Sequence, residues 1–260
     1  MWQYIVKRIL LMIPTLFGAA LVVFLLMHVV PGDIALLILG TSEQGGDVNL
    51  QDLARLRENL GLNRPLYEQF LSWVWGIVHL DFGTSLWSGA PVLEELRLRL
   101  PLTLEVAIFA TLISTVIAIP LGTLAAIRQD TWVDYGVRVV SIGGLAIPAF
   151  WTGILIILFL VIYFEWSPPL VFVPFWEDPW ENFAQLVWPI VTVGYRNAAI
   201  GTRMTRSAVL EVMREDYIRT AWAKGLHERI VVSKHTLKNA MLPVITIIGA
   251  ELASCWAAWW

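Results

Sequence analysis

The segment from Asp216 to Arg229, DYIRTAWAKGLHER, concentrates charged side chains in a chain that is mostly apolar. These residue types suit the recognition of another protein. Tyr217 and Trp222 could anchor a partner protein, and carboxylates and cationic groups surround them in the sequence. A solvated amphipathic linker is the alternative that these residues leave open. The choice between them depends on where the membrane places the segment.

Two other ionisable side chains, Arg196 and Glu251, interrupt long apolar runs. An ionised group near the centre of a membrane helix costs about 2.5 to 3.5 kcal/mol on insertion scales. Arg196 can avoid part of this cost by extending toward the headgroups. The alternatives are that it faces a polar interior or that it pairs with Glu251.

Patterns that support catalysis or metal binding are missing from the sequence. It contains no G-x-x-x-x-G-K-[ST] phosphate loop, no H-E-x-x-H and no G-x-S-x-G. The histidines are dispersed, at His28, His79, His227 and His235, and the single Cys255 offers neither a disulfide nor a cysteine cluster. We therefore expect no enzymatic activity, no cofactor and no metal.

The composition is that of a membrane protein. Hydrophobic residues make up 57% of the chain and charged residues 15%, against about 25% charged residues in soluble proteins. A bilayer core needs roughly 20 mostly apolar helical residues to cross it. Five runs meet this length requirement: Ile9–Val30, Val106–Ile127, Val139–Phe164, Asn182–Thr202 and Met241–Trp260.

The net charge of −3 gives no reason to expect nucleic acid as a partner.

The distribution of Lys and Arg predicts the orientation of these spans. Basic residues dominate residues 1–8 and 203–240, and they flank the connection between the second and third spans. The connection 165–181 has acidic residues but no Lys or Arg. By the positive-inside rule the N-terminus is cytoplasmic. The first run is too long for a signal-peptide core and lacks an A-x-A cleavage site, so we expect an uncleaved anchor.

The predicted domain organisation follows from this topology. Residues 1–30 form an N-terminal tail and the first transmembrane helix, and residues 31–105 form an external helical subdomain. Within the subdomain, Leu50–Leu60 and Leu66–Val78 have apolar residues at helical spacing. Residues 106–260 form the core domain, which includes a cytoplasmic loop at 207–240.

The cytoplasmic loop is predicted to contain a helix, a glycine turn and a second helix. Ser207–Lys224 has no Gly or Pro, and Gly225 can end the helix with a positive φ. Lys224 in the last turn suits the negative end of the helix dipole. His227–Asn239 then leads into the next span. Such a unit is stiff enough to transmit a mechanical force.

Three separated stretches of the chain resemble one family. EDYIRTAWAKGLHER at 215–229, followed by KHTLKNAMLPVIT at 234–246, resembles the cytoplasmic coupling loop of ABC-importer permeases of the dipeptide/oligopeptide/nickel branch. YIVKRIL at 4–10 with VPGD at 30–33, and ENLGLNRPL at 58–66 with DFGTS at 81–85, are similar to other parts of that family. Their collinear order over residues 1–250 is more specific than any one motif.

The resemblance implies an all-α, polytopic helical bundle of the type I ABC-importer permease kind. It implies partners as well: ABC ATPase subunits, a second homologous permease subunit, an external substrate-binding protein and membrane lipid. The expected location is a bacterial or archaeal cytoplasmic (inner) membrane. Six spans are expected in that family where we predict five, so we expect either a truncated or frameshifted chain or a five-span variant.

The resemblance also assigns site residues. The ATPase-coupling residues it implies are Tyr217, Arg219, Thr220, Ala221, Lys224, Gly225 and Leu226. His235, Asn239 and Pro243 match the extended pattern of the branch, whereas Trp222 departs from the basic residue usual at its position. Arg196 and Glu251 become candidates for the translocation path, where Arg196 meets a peptide carboxylate or pairs with Glu251.

The expected function is that of a permease subunit in an ATP-driven, binding-protein-dependent importer, with peptides as the expected cargo. Dipeptides, longer peptides, glutathione and nickel complexes all remain open. One alternative is an ion-coupled secondary transporter, although the spans offer only Glu251 and, at an edge, Glu105 as carboxylates. The other alternative is an inactive, truncated permease fragment.

Overall fold

The computed structural model describes residues 2–29, 35, 50–59, 61–85, 88–167, 169 and 171–257. Helices account for most of these residues, and their β-structure is limited to an isolated bridge between Thr84 and Pro91. The predicted all-α class is therefore confirmed. The VPGD motif at 30–33 and the last three residues lie outside the described ranges.

The helices are numbered in chain order. They are α1 (Trp2–Val29), α2 (Leu50–Asn59), α3 (Leu66–Val78), α4 (Val92–Ile127), α5 (Trp132–Ala146), α6 (Ala149–Phe164), α7 (Pro179–Met213), α8 (Asp216–Ala223), α9 (Glu228–Ile230) and α10 (Leu237–Ala257), with a π-helix at Val231–Thr236. The chain divides into two compact units, Met1–Leu98 and Arg99–Trp260.

Three of the described helical segments are long and apolar enough to cross a membrane: α1, α4 and the continuous run Glu228–Cys255. The pair α5 and α6 would add a fourth, but the two helices are bent by 96° at the break between them. The predicted span Val139–Phe164 is thus not one straight helix. Ile147 is extended (φ −100°, ψ 127°) because it precedes Pro148, which disfavours helical geometry in the residue before it. The helix α7 is not among the three segments, so a count of five spans stays a prediction.

In the first unit, α3 packs along the C-terminal half of α1. Phe70 is buried, and its ring meets those of Phe17 and Phe24 edge-on, each at 5.3 Å between centroids. Gln69 adds a polar link, since its side chain lies 3.3 Å from the ring of His28 and donates to the carbonyl of Arg64. The helices α2 and α3 occupy the predicted helical segments.

In the second unit, α4 and α7 approach each other closely through glycines. A Cβ atom at Gly122 would lie 2.6 Å from the carbonyl oxygen of Thr202 and 2.6 Å from the Cβ of Thr205. One at Gly201 would lie 2.8 Å from the Cβ of Ala118. Small residues at such crossings let helix backbones pack tightly in membranes. The helix α7 is therefore held firmly where it leads toward the loop 207–240.

Candidate functional site

The loop 207–240 contains a short helix, α8, that is set off from α7 by a break. The sequence predicted one helix over Ser207–Lys224, and this prediction was wrong. The helix α7 ends at Met213, and Glu215 is extended (φ −68°, ψ 146°) as the N-cap of α8. The break redirects the chain so that Ile218 is fully buried. Burial of this apolar side chain outweighs the local preference for a continuous helix.

The helix α8 ends in a Schellman motif. Gly225 has a φ of +74° and donates its N–H to the carbonyl of Trp222 at 2.9 Å. Leu226 donates its N–H to the carbonyl of Ala221 at 3.3 Å. Glycine takes this left-handed conformation without the steric penalty of a Cβ atom. The predicted positive φ at Gly225 is confirmed.

A small apolar core holds α8 against the segment that follows it. Ile218, Ala221 and Val231 are buried together, at 0%, 7% and 1% exposure, and Leu226 and Val212 pack against them. The resemblance assigned Ala221 to ATPase coupling. In the structure its side chain lies in this core, against residues 226–236, the return segment that leads from α8 to α10.

The opposite face of α8 is polar and exposed. Arg219, Thr220 and Lys224 lie on it, with Trp222 42% exposed. Arg219 and Asp216 form an ion pair at 3.2 Å, with their side chains 73% and 95% exposed. Exposed ion pairs contribute at most about 1 kcal/mol. The Arg219 side chain can therefore leave Asp216 for a partner at little cost.

Tyr217 joins α8 to the start of α10. The side-chain amide of Asn239 donates a 2.7 Å hydrogen bond to the hydroxyl of Tyr217 and a 3.2 Å bond to the carbonyl of His235. The resemblance assigned Tyr217 to ATPase coupling and Asn239 to the extended pattern of the branch. The structure brings them together across 22 residues of sequence.

The return segment contains a π-helix that the sequence did not predict. Within the predicted helix His227–Asn239, residues Val231–Thr236 adopt π geometry, and the hydroxyl of Thr236 donates to the carbonyl of Val231 at 3.2 Å. A π turn adds a residue relative to an α turn, which rotates the helix by about 100°. This rotation lets Val231 face Ile218 while Asn239 still meets Tyr217.

An ion pair between a buried carboxylate and a partly buried guanidinium connects α5 to α7, and sequence reasoning missed it. Nε of Arg206 donates to Oδ1 of Asp134 at 2.7 Å, and an Nη donates to Oδ2 at 2.6 Å. Asp134 has no exposed surface, and it also accepts the N–H of Asp130 at 3.1 Å. The only available signal was an acidic residue in the first turn of a helix, which is too common to single out a partner 72 residues away.

The translocation-path candidates lie on one cavity. A cavity of about 480 Å³ lies between α6, α7 and α10, and both Arg196 and Glu251 line it. Arg196 is exposed and Glu251 is half-buried. Within the part of the chain that the structure describes, neither side chain forms an ion pair or a hydrogen bond. The two groups are therefore brought to the same space but are not paired.

The other acidic candidate, Glu105, has a partner. Its carboxylate accepts a 2.8 Å hydrogen bond from the side-chain amide of Asn182, which also donates to the carbonyl of Val173 at 3.0 Å. Gln185 fixes the same segment by accepting from the N–H of Val173 at 3.1 Å. Glu105 thus helps to fasten α4 and residues 171–173 to the start of α7, which is a structural role.

Comparisons with known proteins cover almost the entire chain. Residues 118–258 match the family described as "Binding-protein-dependent transport system inner membrane component", and residues 1–107 match its N-terminal family. The dipeptide transport system permease protein DppB of Escherichia coli strain K12 is 34% identical over 278 residues, which cover 98% of this chain and 80% of DppB. The glutathione transport system permease protein GsiC of Escherichia coli O1:K1 / APEC is 36% identical over 251 residues, which cover 96% of this chain and 78% of GsiC.

Proposed function

The chain belongs to the family of binding-protein-dependent transport system inner membrane components, and from that premise we propose how its parts act in peptide import. It is a multi-pass membrane permease of the ABC-importer kind. Its relatives are named as dipeptide and glutathione transport permeases, and peptides are the cargo we propose for this chain. The observation that carries the proposal is the family match over both parts of the chain.

The proposed partners meet the chain on different sides of the membrane. ABC ATPase subunits bind the exposed face of α8, where Arg219, Thr220, Lys224 and Trp222 are available. An external substrate-binding protein delivers cargo on the opposite side, and a second homologous permease completes the path. The basic residues near the N-terminus and in the loop 207–240 support a cytoplasmic location for both segments.

Force passes from the ATPase through α8 to the spans. The buried core of Ile218, Ala221 and Val231 and the bond from Asn239 to Tyr217 prevent α8 from moving independently of α10. The ATPase shifts the spans only if it binds α8 differently in its ATP-bound and ATP-free states. ATP hydrolysis takes place on the partner subunits, and this chain contributes no catalytic group.

The proposed domain roles follow the predicted boundaries. Residues 1–30 anchor the chain, residues 31–105 form the external subdomain, and residues 106–260 contain the path and the loop 207–240. In this arrangement the external subdomain lies on the side from which cargo arrives. The loop lies on the side of the ATPase.

ATP-driven uptake tests the proposal. The chain is assembled with its ATPase and permease partners in vesicles, and uptake of radiolabelled alanyl-alanine from an added binding protein is followed with and without ATP. We expect uptake only with ATP and only when the ATPase subunits co-purify with this chain. Uptake driven by a proton or sodium gradient in the absence of the ATPase would contradict the proposal.

A further inference from the structure

We propose that the cavity between α6, α7 and α10 holds the two charged termini of a short peptide, the α-carboxylate at Arg196 and the α-ammonium group at Glu251. The inference rests on the proposed function, because it places this site on the path of the cargo. It adds the chemical features by which the path recognises that cargo, and it names a residue for each of them.

The charges of the cavity are the first argument. A guanidinium and a carboxylate line the same space, and among the described residues neither has a hydrogen-bonding or ionic partner. Ionisable groups inside membrane segments are costly and are expected to face a partner or a water-filled path. A zwitterion that carries one carboxylate and one ammonium group would neutralise both Arg196 and Glu251. Charge-assisted hydrogen bonds, bidentate at the guanidinium, suit such termini.

The other polar side chains of the cavity supply the second argument, because they are neutral and two of them, Thr192 and Asn197, already form hydrogen bonds within the protein. The hydroxyl of Thr192 donates to the carbonyl of Trp188 at 2.8 Å, and the amide of Asn197 donates to the sulfur of Cys255 at 3.2 Å. The neutral hydroxyl of Ser254 also lines the cavity without a hydrogen bond among the described residues, so Arg196 and Glu251 are the charged groups that a ligand would meet. The cavity therefore recognises the ends of a peptide more strongly than its side chains.

The size and the apolar part of the lining agree with this occupant. The volume of about 480 Å³ lies within the range of about 300 to 1,000 Å³ that is usual for small-molecule sites. Phe150, Ile154 and Trp188 provide an apolar wall. Such a wall accepts aliphatic and aromatic side chains of different shapes, because apolar contact is not directional. We expect tolerance of peptide sequence together with a strict need for free termini.

Photolabelling of the assembled transporter tests the site directly. The complex is placed in nanodiscs without a binding protein, so that external selection does not influence the result. Three probes are compared: a dipeptide with a diazirine side chain, its C-terminal amide and its N-acetyl derivative. We expect the zwitterionic probe to label α6, α7 or α10 at least about tenfold more than either blocked probe, because each blocked probe loses charged hydrogen bonds.

Substitutions of Arg196 and Glu251 test which of the two residues binds which terminus of the peptide. Arg196→Gln should remove the preference for the free carboxylate, and Glu251→Gln should remove the preference for the free amine. Arg196→Lys keeps the cation and should retain most of the preference. The matched control is Arg203→Gln, an exposed arginine about two turns further along α7 that does not line the cavity. This control should label as the wild type does.

Two results would overturn the site. One is equal labelling by all three probes, and the other is labelling that excess phospholipid displaces but excess alanyl-alanine does not, which would assign the cavity to lipid. ATP-driven uptake by the wild type separates this test from that of the importer. If uptake occurs and Arg196→Gln keeps the wild-type probe preference, the terminus site is wrong and the importer proposal stands.

Discussion

The hydroxyl of Tyr217 accepts a 2.7 Å hydrogen bond from the side-chain amide of Asn239, which lies in the first turn of α10. This bond joins α8 to a helical segment that is long and apolar enough to cross the membrane. Beside it, the buried side chains of Ile218, Ala221 and Val231 make a second connection. A force applied to α8 therefore reaches α10 through both a polar and an apolar contact.

Removal of the Tyr217 hydroxyl should weaken the coupling of ATP hydrolysis to peptide import more than it lowers the stability of the fold. In Tyr217→Phe, Asn239 keeps its bond to the carbonyl of His235, so we expect a loss of only about 0.5 to 1.5 kcal/mol in the free energy of unfolding. The number of peptides imported per ATP hydrolysed should fall. Tyr217→Phe combined with Asn239→Leu should be no worse than either single change, and exposed Lys238→Gln serves as the control. Additive losses in the double variant would show that the two residues act separately.

Gly225→Ala should destabilise the loop. Open space surrounds the position, so the cost comes from the φ of +74°, which is unfavourable by roughly 1–2 kcal/mol for a residue with a Cβ atom. The matched control is Gly249→Ala, which also has open space but lies inside α10. That change should stabilise the protein by up to about 1 kcal/mol. Thermal unfolding in detergent measures both, and equal shifts would argue against the Schellman motif.

The ion pair between Arg206 and Asp134 should be needed for folding. Asp134→Asn leaves the partly buried guanidinium of Arg206 without its charged partner and should cost about 1.5–3 kcal/mol in the free energy of unfolding. Asp216→Asn breaks an ion pair of the same chemical groups that is exposed to solvent, and it should cost at most about 1 kcal/mol. Denaturant titration in mixed micelles compares the two. Similar losses for both variants would mean that the pair of Arg206 and Asp134 contributes no more than a surface pair.

Deletion of Ser233 should uncouple the transporter by removing the extra residue of the π-helix. A regular α-helix over this segment would rotate α10 by about 100° relative to Val231, and Asn239 could no longer reach Tyr217. We expect ATPase binding to persist and peptide uptake per ATP to fall at least about tenfold. Ser233→Ala keeps the chain length and removes only a hydroxyl that donates to the carbonyl of Arg229, one turn earlier in α9. Uptake by the deletion variant equal to that of Ser233→Ala would contradict the role of the π-helix.

The features that could be predicted from the sequence are those that depend on neighbouring residues. The extent of α3 follows from apolar spacing after Pro65, and the positive φ of Gly225 follows from a glycine at the end of a polar helical segment. Both features are determined by residues that are close together in the sequence. Three collinear stretches, at 4–33, 58–85 and 215–246, were together sufficient to indicate the family that the comparisons show.

The features that could not be predicted depend on distant contacts. The break at Glu215 and the π-helix both follow from the packing of Ile218 on Val231, which no local pattern specifies. Arg206 meets Asp134 only after α5 and α7 have packed. Arg196 and Glu251 were predicted as candidates for one path from their charges in apolar runs, but the cavity that they share without pairing is visible only in the folded chain.

The central claim is that α8 lies on the inner side of the membrane and is held there by an ATPase. Lys224→Cys and Glu177→Cys place single exposed thiols on the loop and on the 165–181 connection, while the native Cys255 is buried. We predict that a membrane-impermeant maleimide labels Glu177→Cys in intact cells and Lys224→Cys only in inside-out vesicles. Bound ATPase should protect Lys224→Cys from the reagent. Labelling of Lys224→Cys from outside intact cells would contradict the account.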